Sequence, residues 1–195
     1  KTEECLKQNI QLIHIFEDEW VYKSDIVKSR ILNLLNLTPN KIYARNCNIE
    51  ILDNNPKNQF LNYNHIQGED KSKIKLGLYH NGELISVMTF GNLRKVTGNK
   101  SSIDSYELLR FCNKLNTNVI GGFSKLLKFF IKNYHPKNII SYADKRWSNG
   151  KVYEKNNFNF KFVRSFQLHF FGSLQITSRS NNYSCLARRL SKNES

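Results

Sequence analysis

The chain has 195 residues, of which 30 are Lys or Arg and 16 are Asp or Glu, so its formal net charge is +14. This length suits one complete domain with an additional fragment, and the charge is typical of proteins that bind polyanions, above all nucleic acid. No apolar run approaches the length of a membrane-spanning helix, which argues against membrane attachment and favours a cytoplasmic protein. A coding bias toward Lys and Asn is the alternative source of the charge.

The N-terminal region carries a cluster of acids after an apolar run. We predict a short helix over residues 2–9 and a strand over residues 10–16, followed by the carboxylates of Glu17, Asp18 and Glu19. Adjacent carboxylates suggest a divalent metal, but a metal-dependent nuclease also needs acids from a second element. The four cysteines and five histidines are scattered. We therefore predict no metal site and no disulfide framework.

The next segment predicts an amphipathic helix and a strand. Ser24 and Asp25 cap a helix with an apolar stripe, which either packs on a sheet or contacts DNA, and which ends at residues 38–40. Residues 41–52 alternate as one strand containing Arg45. Residues 53–58 indicate a loop, and the stretch after it offers His65 as a polar group that either reaches DNA or is structural.

A β-hairpin is the clearest local signal in the chain. Residues 74–79 and 84–90 are two apolar runs joined by a turn that contains Asn81 and Gly82. The loop after the hairpin carries Arg94 and Lys95 as candidate phosphate contacts, with flexible surface lysines as the alternative. Farther on, residues 168–172 predict a strand and turn, and residues 183–190 another strand.

The stretch from residue 105 to 160 predicts a strand, a glycine turn, a helix, a strand and a helix. Gly121 and Gly122 precede large apolar residues at helical spacing, so a helix begins at the glycines. Its unpaired N–H groups favour an anion such as phosphate, although a simple tight turn is an equal alternative. The helix ends before Pro136, and a strand from residue 138 leads to Asp144, at the edge where α/β folds place ligands.

These elements, with Tyr-Glu-Lys-x-x-Phe at residues 153–158, resemble the second half of the GNAT N-acyltransferase fold over roughly residues 74–163. The pattern more closely resembles Mom-type DNA-modification proteins of phages and the GNAT-like C-terminal halves of Hef-type homing endonucleases. The resemblance implies an α/β (α+β) fold with a mixed central sheet flanked by helices. It also implies three regions: the last helix and strand of a Vsr-like nuclease domain at 1–22, a connecting helix at 23–40, and a GNAT-like domain at 41–195.

The resemblance further implies a function and a set of site residues. We expect an acyl-type group to be transferred to a DNA base in a phage-infected or host bacterial cell, with a catalytically silent DNA-binding module as the alternative. The resemblance offers acetyl-CoA or another acyl donor as candidates but leaves the donor open, because the acetyl-CoA signature is imperfect: Phe123 stands where a small residue is usual. The nuclease site is incomplete. The implied catalytic residues are Arg110, Ser124, Asp144 and Tyr153, and the donor lies on Gly121, Gly122, Phe123 and Ser124. The predicted DNA contacts are Arg45, His65, Arg94, Lys95, Lys145, Arg146 and Trp147.

Overall fold

A computed structural model describes residues 2–92, 104–144, 146–148, 150–164 and 167–173. The helices are α1 (Thr2–Lys7), α2 (Glu17–Tyr22), α3 (Ser24–Leu34), α4 (Asn54–Asn64), α5 (Gly122–Tyr134) and α6 (Lys151–Glu154). The strands are β1 (Asn40–Tyr43), β2 (Asn48–Ile51), β3 (Ile74–His80), β4 (Glu83–Asn92), β5 (Ser105–Asn113), β6 (Thr117–Ile120), β7 (Asn138–Asp144), β8 (Asn159–Arg164) and β9 (Gln167–Ser173).

Seven strands form one mixed sheet in the order β2-β3-β4-β5-β7-β9-β8. Neighbours are antiparallel except β5 and β7, which run parallel and are joined through β6 and α5. The predicted hairpin is present as β3 and β4, and its turn places Asn81 and Gly82 at positive φ. The predicted fold, a mixed sheet flanked by helices, is confirmed.

The two parallel strands separate into a V. Pairing of β5 with β7 covers Ser105–Leu108 against Asn138–Ser141, and both strands continue beyond it. A bulge at Leu109 shifts the register between β4 and β5, since Thr89 pairs with Arg110 and Phe90 with Leu108. The V therefore opens directly after Leu108 and Ser141.

Helices pack on the two faces of this sheet. The apolar side of α5 lies across β3 and β4, where Phe130 stacks on Phe90 with ring centroids 3.6 Å apart. On the opposite face, Phe60 and Leu61 of α4 pack with Cys112. Phe111, next to Cys112, belongs instead to the cluster under α5. At the end of β5, Phe111 therefore faces α5 and Cys112 faces α4. This alternation determines which side chains line each side of the V.

Several predicted elements differ from those observed. Residues 10–16 pair with no strand of the described sheet, and the acids begin helix α2 instead. The single strand predicted over residues 41–52 is broken by a 3₁₀ turn at Ala44–Asn46, because β1 pairs with β6 while β2 pairs with β3. Helix α4 replaces the predicted loop at residues 53–58, and the helix predicted after Asp144 is observed as the short α6. The strand expected at residues 183–190 lies outside the described residues.

Candidate active site

The hydroxyl of Tyr153 lies where β5 and β7 separate. Ser141, the last residue of β7 that pairs with β5, donates to the carbonyl oxygen of Leu108 at 3.4 Å, and its Oγ is hydrogen-bonded to the Tyr153 hydroxyl at 3.2 Å. The Tyr153 ring packs edge-on against Phe123 and Phe158. Burial raises the pKa of Tyr153, so its hydroxyl holds a proton throughout the neutral range. The structure therefore fixes a protonated phenol at the apex of the V.

The N-terminus of α5 adjoins this phenol. Gly121 caps the helix at φ 80°, a conformation that favours glycine, and no side chain caps the helix. The first N–H groups of a helix have no partner within it, so those of Gly122, Phe123 and Ser124 point out of the helix end. A Cβ on Gly121 would have Ala44 Cβ, at 3.8 Å, as its nearest neighbour. The backbone here is therefore open to a ligand.

Phe123, which departs from the acyl-donor signature, does not cover this helix end. Its side chain is only 5% exposed and packs edge-on against Phe111, with ring centroids 5.1 Å apart. The ring also contacts Tyr153 on the other side of the V. The bulk of Phe123 therefore lies inside the sheet-facing core, and the N–H groups at the start of α5 remain accessible.

An open groove of about 420 Å³ runs along the start of α5. The parallel pair of β1 and β6 ends at it, an edge at which α/β sheets commonly bind ligands. Lys125 is not available there, because its Nζ donates to the carbonyl oxygens of Ala44 and Cys47. The groove is lined by two exposed cations, Arg45 and Lys128. The Arg45 guanidinium lies over the Tyr43 ring. The groove is lined by Tyr43, Ala44, Arg45, Ile120, Gly121, Ser124, Lys125 and Lys128.

Asp144, at the end of β7, is held by an arginine. Arg146 donates from Nε to both Asp144 oxygens at 3.1 and 3.0 Å, and from Nη2 to Oδ2 at 2.6 Å. The same guanidinium donates to Glu19 at 2.8 and 3.0 Å and lies 4.1 Å from the centroid of the Phe16 ring. Burial alone would lower the pKa of Arg146, but its hydrogen bonds with the two carboxylates raise it. Through its pairing with Arg146, Asp144 holds the loop that follows β7 in position.

Arg110 lies on the other face of the sheet from Ser124. Arg110 and Cys112 are two residues apart in β5, so both face α4. The Nη1 of Arg110 donates to the carbonyl oxygen of Leu109 at 2.9 Å. The four predicted catalytic residues therefore lie at four different places around the V. Tyr153 is at its apex, Ser124 lines the groove beside α5, Asp144 is at the end of β7, and Arg110 is on the face of the sheet that α4 covers. The convergence of all four on one ligand stays a prediction.

The predicted DNA contacts separate into three groups. Arg45 is exposed, but it lines the groove beside α5. The side chains of His65, Arg146 and Trp147 are only 8 to 9% exposed, and their contact with DNA stays a prediction. Arg94, Lys95 and Lys145 lie outside the described residues.

Sequence reasoning missed Tyr43 and Lys128 of the groove and assigned Glu19 to a nuclease remnant. The parallel pairing of β1 with β6 places Tyr43 beside Gly121. No local sequence pattern predicts a pairing between two segments that are so far apart in the chain. Within the described residues, no group of three or more His, Cys, Asp or Glu side chains is arranged to hold a metal ion. The described helices also include none that is long and apolar enough to cross a membrane.

Several solved structures have similar folds. The GNAT domain of S. lividans PAT is 11% identical, covering 66% of this chain and 90% of that one, with a TM-score of 0.51. Campylobacter jejuni N-acetyltransferase PseH, solved with acetyl coenzyme A, is 19% identical over 54% of this chain and 71% of its own, with a TM-score of 0.42. The PaiA N-acetyltransferase of Thermoplasma acidophilum, solved with coenzyme A, is 17% identical over 89% and 80%, with a TM-score of 0.41. The first likeness shows a GNAT-type fold.

Among curated proteins, none matches this chain. The sequence profile of the Mom protein family, in contrast, matches residues 47–193, which is more than half of the chain. The matched region includes β2, the V, the glycine-capped helix α5 and Tyr153. The chain belongs to the Mom protein family.

Proposed function

We propose that this protein transfers an acyl-type group from a coenzyme A thioester to an amino group of a DNA base. The observation that carries the proposal is the Tyr153 hydroxyl at the apex of the V, close to the uncapped start of α5. Membership of the Mom family and the GNAT-type fold support group transfer, since this fold commonly supports it. The net charge of +14 supports a polyanionic acceptor.

The groove beside α5 fits an acyl donor that carries phosphates. The N–H groups of Gly122, Phe123 and Ser124 would hold a pyrophosphate, because a helix N-terminus combines unpaired donors with a favourable dipole. The exposed side chains of Arg45 and Lys128 would hold further phosphate oxygens. A bound thioester would supply an acyl group that is already activated toward amines.

Tyr153 acts as the acid in this proposal. Its buried hydroxyl holds a proton at neutral pH and is positioned by Ser141. As the amine nitrogen bonds to the thioester carbonyl carbon and the C–S bond breaks, Tyr153 would protonate the leaving thiolate, and the proton released by the amine would pass through water to restore the phenol. General acid catalysis of this kind contributes roughly 10²- to 10⁴-fold. Asp144 and Arg146 hold the loop after β7 against the V. An exocyclic amine in duplex DNA would reach the V only after its nucleotide is flipped out of the stack.

The test is a transfer assay with the purified chain. We expect duplex DNA incubated with acetyl-CoA or another acyl-CoA to acquire a modified nucleoside, detected by mass spectrometry after digestion, and the Tyr153→Phe variant to lose most of this activity. DNA binding without modification by any donor would instead support the alternative, a catalytically silent binding module of a homing endonuclease. Cleavage of the DNA by this chain would contradict both.

A further inference from the structure

Arg30 occupies the α3 side of the V. Its guanidinium carbon lies 5.3 Å from the centroid of the Trp147 ring, in the loop after β7. Trp147 packs with Ile26 and Val27 of α3, which fixes the helix across the end of β7. The charge of Arg30 also acts on His65 and Cys112, so its guanidinium lies near the part of β5 that has separated from β7. Sequence patterns did not single out this residue.

The described residues give Arg30 no hydrogen bond and no ion pair. Asp144 and Glu19 are close enough for their charges to raise its pKa, but burial outweighs them and lowers it. Both carboxylates are already engaged by Arg146. Arg30 is half-buried, so its guanidinium is only partly hydrated, and a paired anion would stabilise its charge. Arg30 therefore lacks the oxyanion that a guanidinium in such a place ordinarily has.

Trp147 supplies a second donor at the same place. Its indole Nε1 is buried, and no described residue accepts a hydrogen bond from it. Buried polar groups in native proteins almost always have a partner, so an orphan donor indicates a group that binds there. The indole ring is also the one over which Arg30 lies. Two adjacent side chains thus offer N–H groups, and neither has an acceptor among the described residues.

We propose that Arg30, supported by Trp147, binds a phosphate group of the acceptor substrate on the face of the V opposite the acyl-donor groove. The inference rests on the proposed function, which supplies the donor side. Cys112, near Arg30, packs with α4, whereas Phe111 packs with Phe123 of α5, so the two ligands would approach the V from opposite faces. A planar guanidinium suits a phosphate bidentately, and every nucleotide of a nucleic acid carries a phosphate near its base.

The test compares charge-matched variants of α3. Arg30→Gln and Lys28→Gln each remove one positive charge from the same helix, but Lys28 is exposed and lies over Trp20, away from Trp147. The probe is a short fluorescein-labelled single-stranded oligodeoxynucleotide, titrated at several salt concentrations. Unlabelled dAMP and inorganic phosphate serve as competitors, which separate a nucleotide phosphate from a free anion.

Arg30→Gln should raise the Kd for the oligonucleotide about tenfold or more, and flatten the salt dependence by about 0.7, the contribution of one phosphate on a single strand. Lys28→Gln should change the Kd by less than about twofold. Arg30→Lys should recover only part of the affinity, because an ammonium lacks the planar fork. The Tm of Arg30→Gln should stay close to that of the wild type, since the substitution removes a half-buried charge that has no ion-pair partner among the described residues.

Equal losses of affinity in Arg30→Gln and Lys28→Gln would overturn the proposal, as they would show a general charge effect. The proposal would also be overturned if inorganic phosphate displaced the oligonucleotide as strongly as dAMP does, because the site would then bind a free anion. A lower Tm together with unchanged oligonucleotide affinity in Arg30→Gln would make Arg30 merely structural. Loss of affinity in that variant, with no acyl transfer by the wild type, would refute the proposed reaction and leave the phosphate site standing.

Discussion

Glu19 and Arg146 are 127 residues apart in the sequence, and Oε1 of Glu19 accepts a hydrogen bond from Nη2 of Arg146 at 2.8 Å. Arg146 is at the same time paired with Asp144, so a single guanidinium joins α2 to the end of β7. All three side chains are largely shielded from water, which strengthens the pairing and makes its loss costly. The N-terminal segment is thereby fastened beside the candidate site.

We expect Glu19→Gln to destabilise the protein by about 2 kcal/mol, since it leaves Arg146 with one carboxylate in a shielded environment. Urea unfolding at neutral pH measures the change. Glu17→Gln, in the same helix but exposed, is the matched control and should leave the midpoint unchanged. Identical midpoints for Glu19→Gln and the wild type would show that the contact contributes nothing to stability.

Tyr153→Phe should lower the rate of acyl transfer by about 100-fold or more while the protein remains folded, because it removes only the hydroxyl that supplies the proton. Burial raises the pKa of Tyr153 above its ordinary value of 10.0, and an acid acts while it is protonated. The wild-type rate should therefore show no decline from this group below about pH 10. A pH–rate profile of both proteins checks this, and an unchanged rate in Tyr153→Phe would remove the residue from the mechanism.

Replacing Arg45 and Lys128 together by Gln should raise the Kd for coenzyme A about tenfold to 100-fold, since each exposed cation would lose a phosphate partner. Isothermal titration calorimetry measures the affinity. Lys132→Gln, one helical turn beyond Lys128 and outside the groove, is the control for removing charge from α5. If the double variant binds coenzyme A as tightly as the wild type, the groove is not the donor site.

His65 should make the protein less stable in mild acid. Burial lowers its pKa to about 3, with the charges of Arg30 and Arg110 adding to the effect, whereas the imidazole of the unfolded chain has its ordinary pKa of 6.5. Below pH 6.5 the unfolded chain binds a proton that the folded one excludes, so stability falls with pH toward 3 by up to about 1.4 kcal/mol per pH unit. Between pH 6.5 and 5 this amounts to roughly 2 kcal/mol.

Urea unfolding at pH 7 and pH 5 tests this prediction. The His65→Gln variant should lose less stability than the wild type between the two values, and His80→Gln, at a less buried histidine, should behave as the wild type does. An equal loss in wild type and His65→Gln would mean that the imidazole is protonated in the folded protein.

Much of the fold could be predicted because its signals are local. Asn81 and Gly82 suit a hairpin turn, and Gly121 before an apolar helical stripe locates the start of α5. Helix α4 was missed because it begins in an Asn-rich stretch that contains Pro56, which is typical of loops but is also tolerated in a first helical turn.

The site was predicted less completely, because its contacts join distant segments. Arg146 was expected on a DNA-binding surface, yet two carboxylates occupy it, and one of them comes from α2. The groove depends on β1 pairing with β6, which no periodicity in either strand specifies. Tyr153 and the start of α5 could be proposed from the sequence because a motif contains them, whereas Arg30 belongs to no motif and is identified only by its surroundings.

The bulge at Leu109 decides which side of the sheet receives positive charge. In an unbroken β5, alternation would turn Arg110 and Cys112 toward α5 together with Leu108, and Phe111 toward α4. The extra residue reverses this order, so an aromatic ring faces the glycine-capped helix and a guanidinium faces the opposite layer. Because Phe90 already pairs with Leu108 and Thr89 with Arg110, deleting Leu109 would leave a regular ladder in which both walls keep their side chains. Straightening the strand with Leu109 retained would instead exchange the chemical character of the two walls.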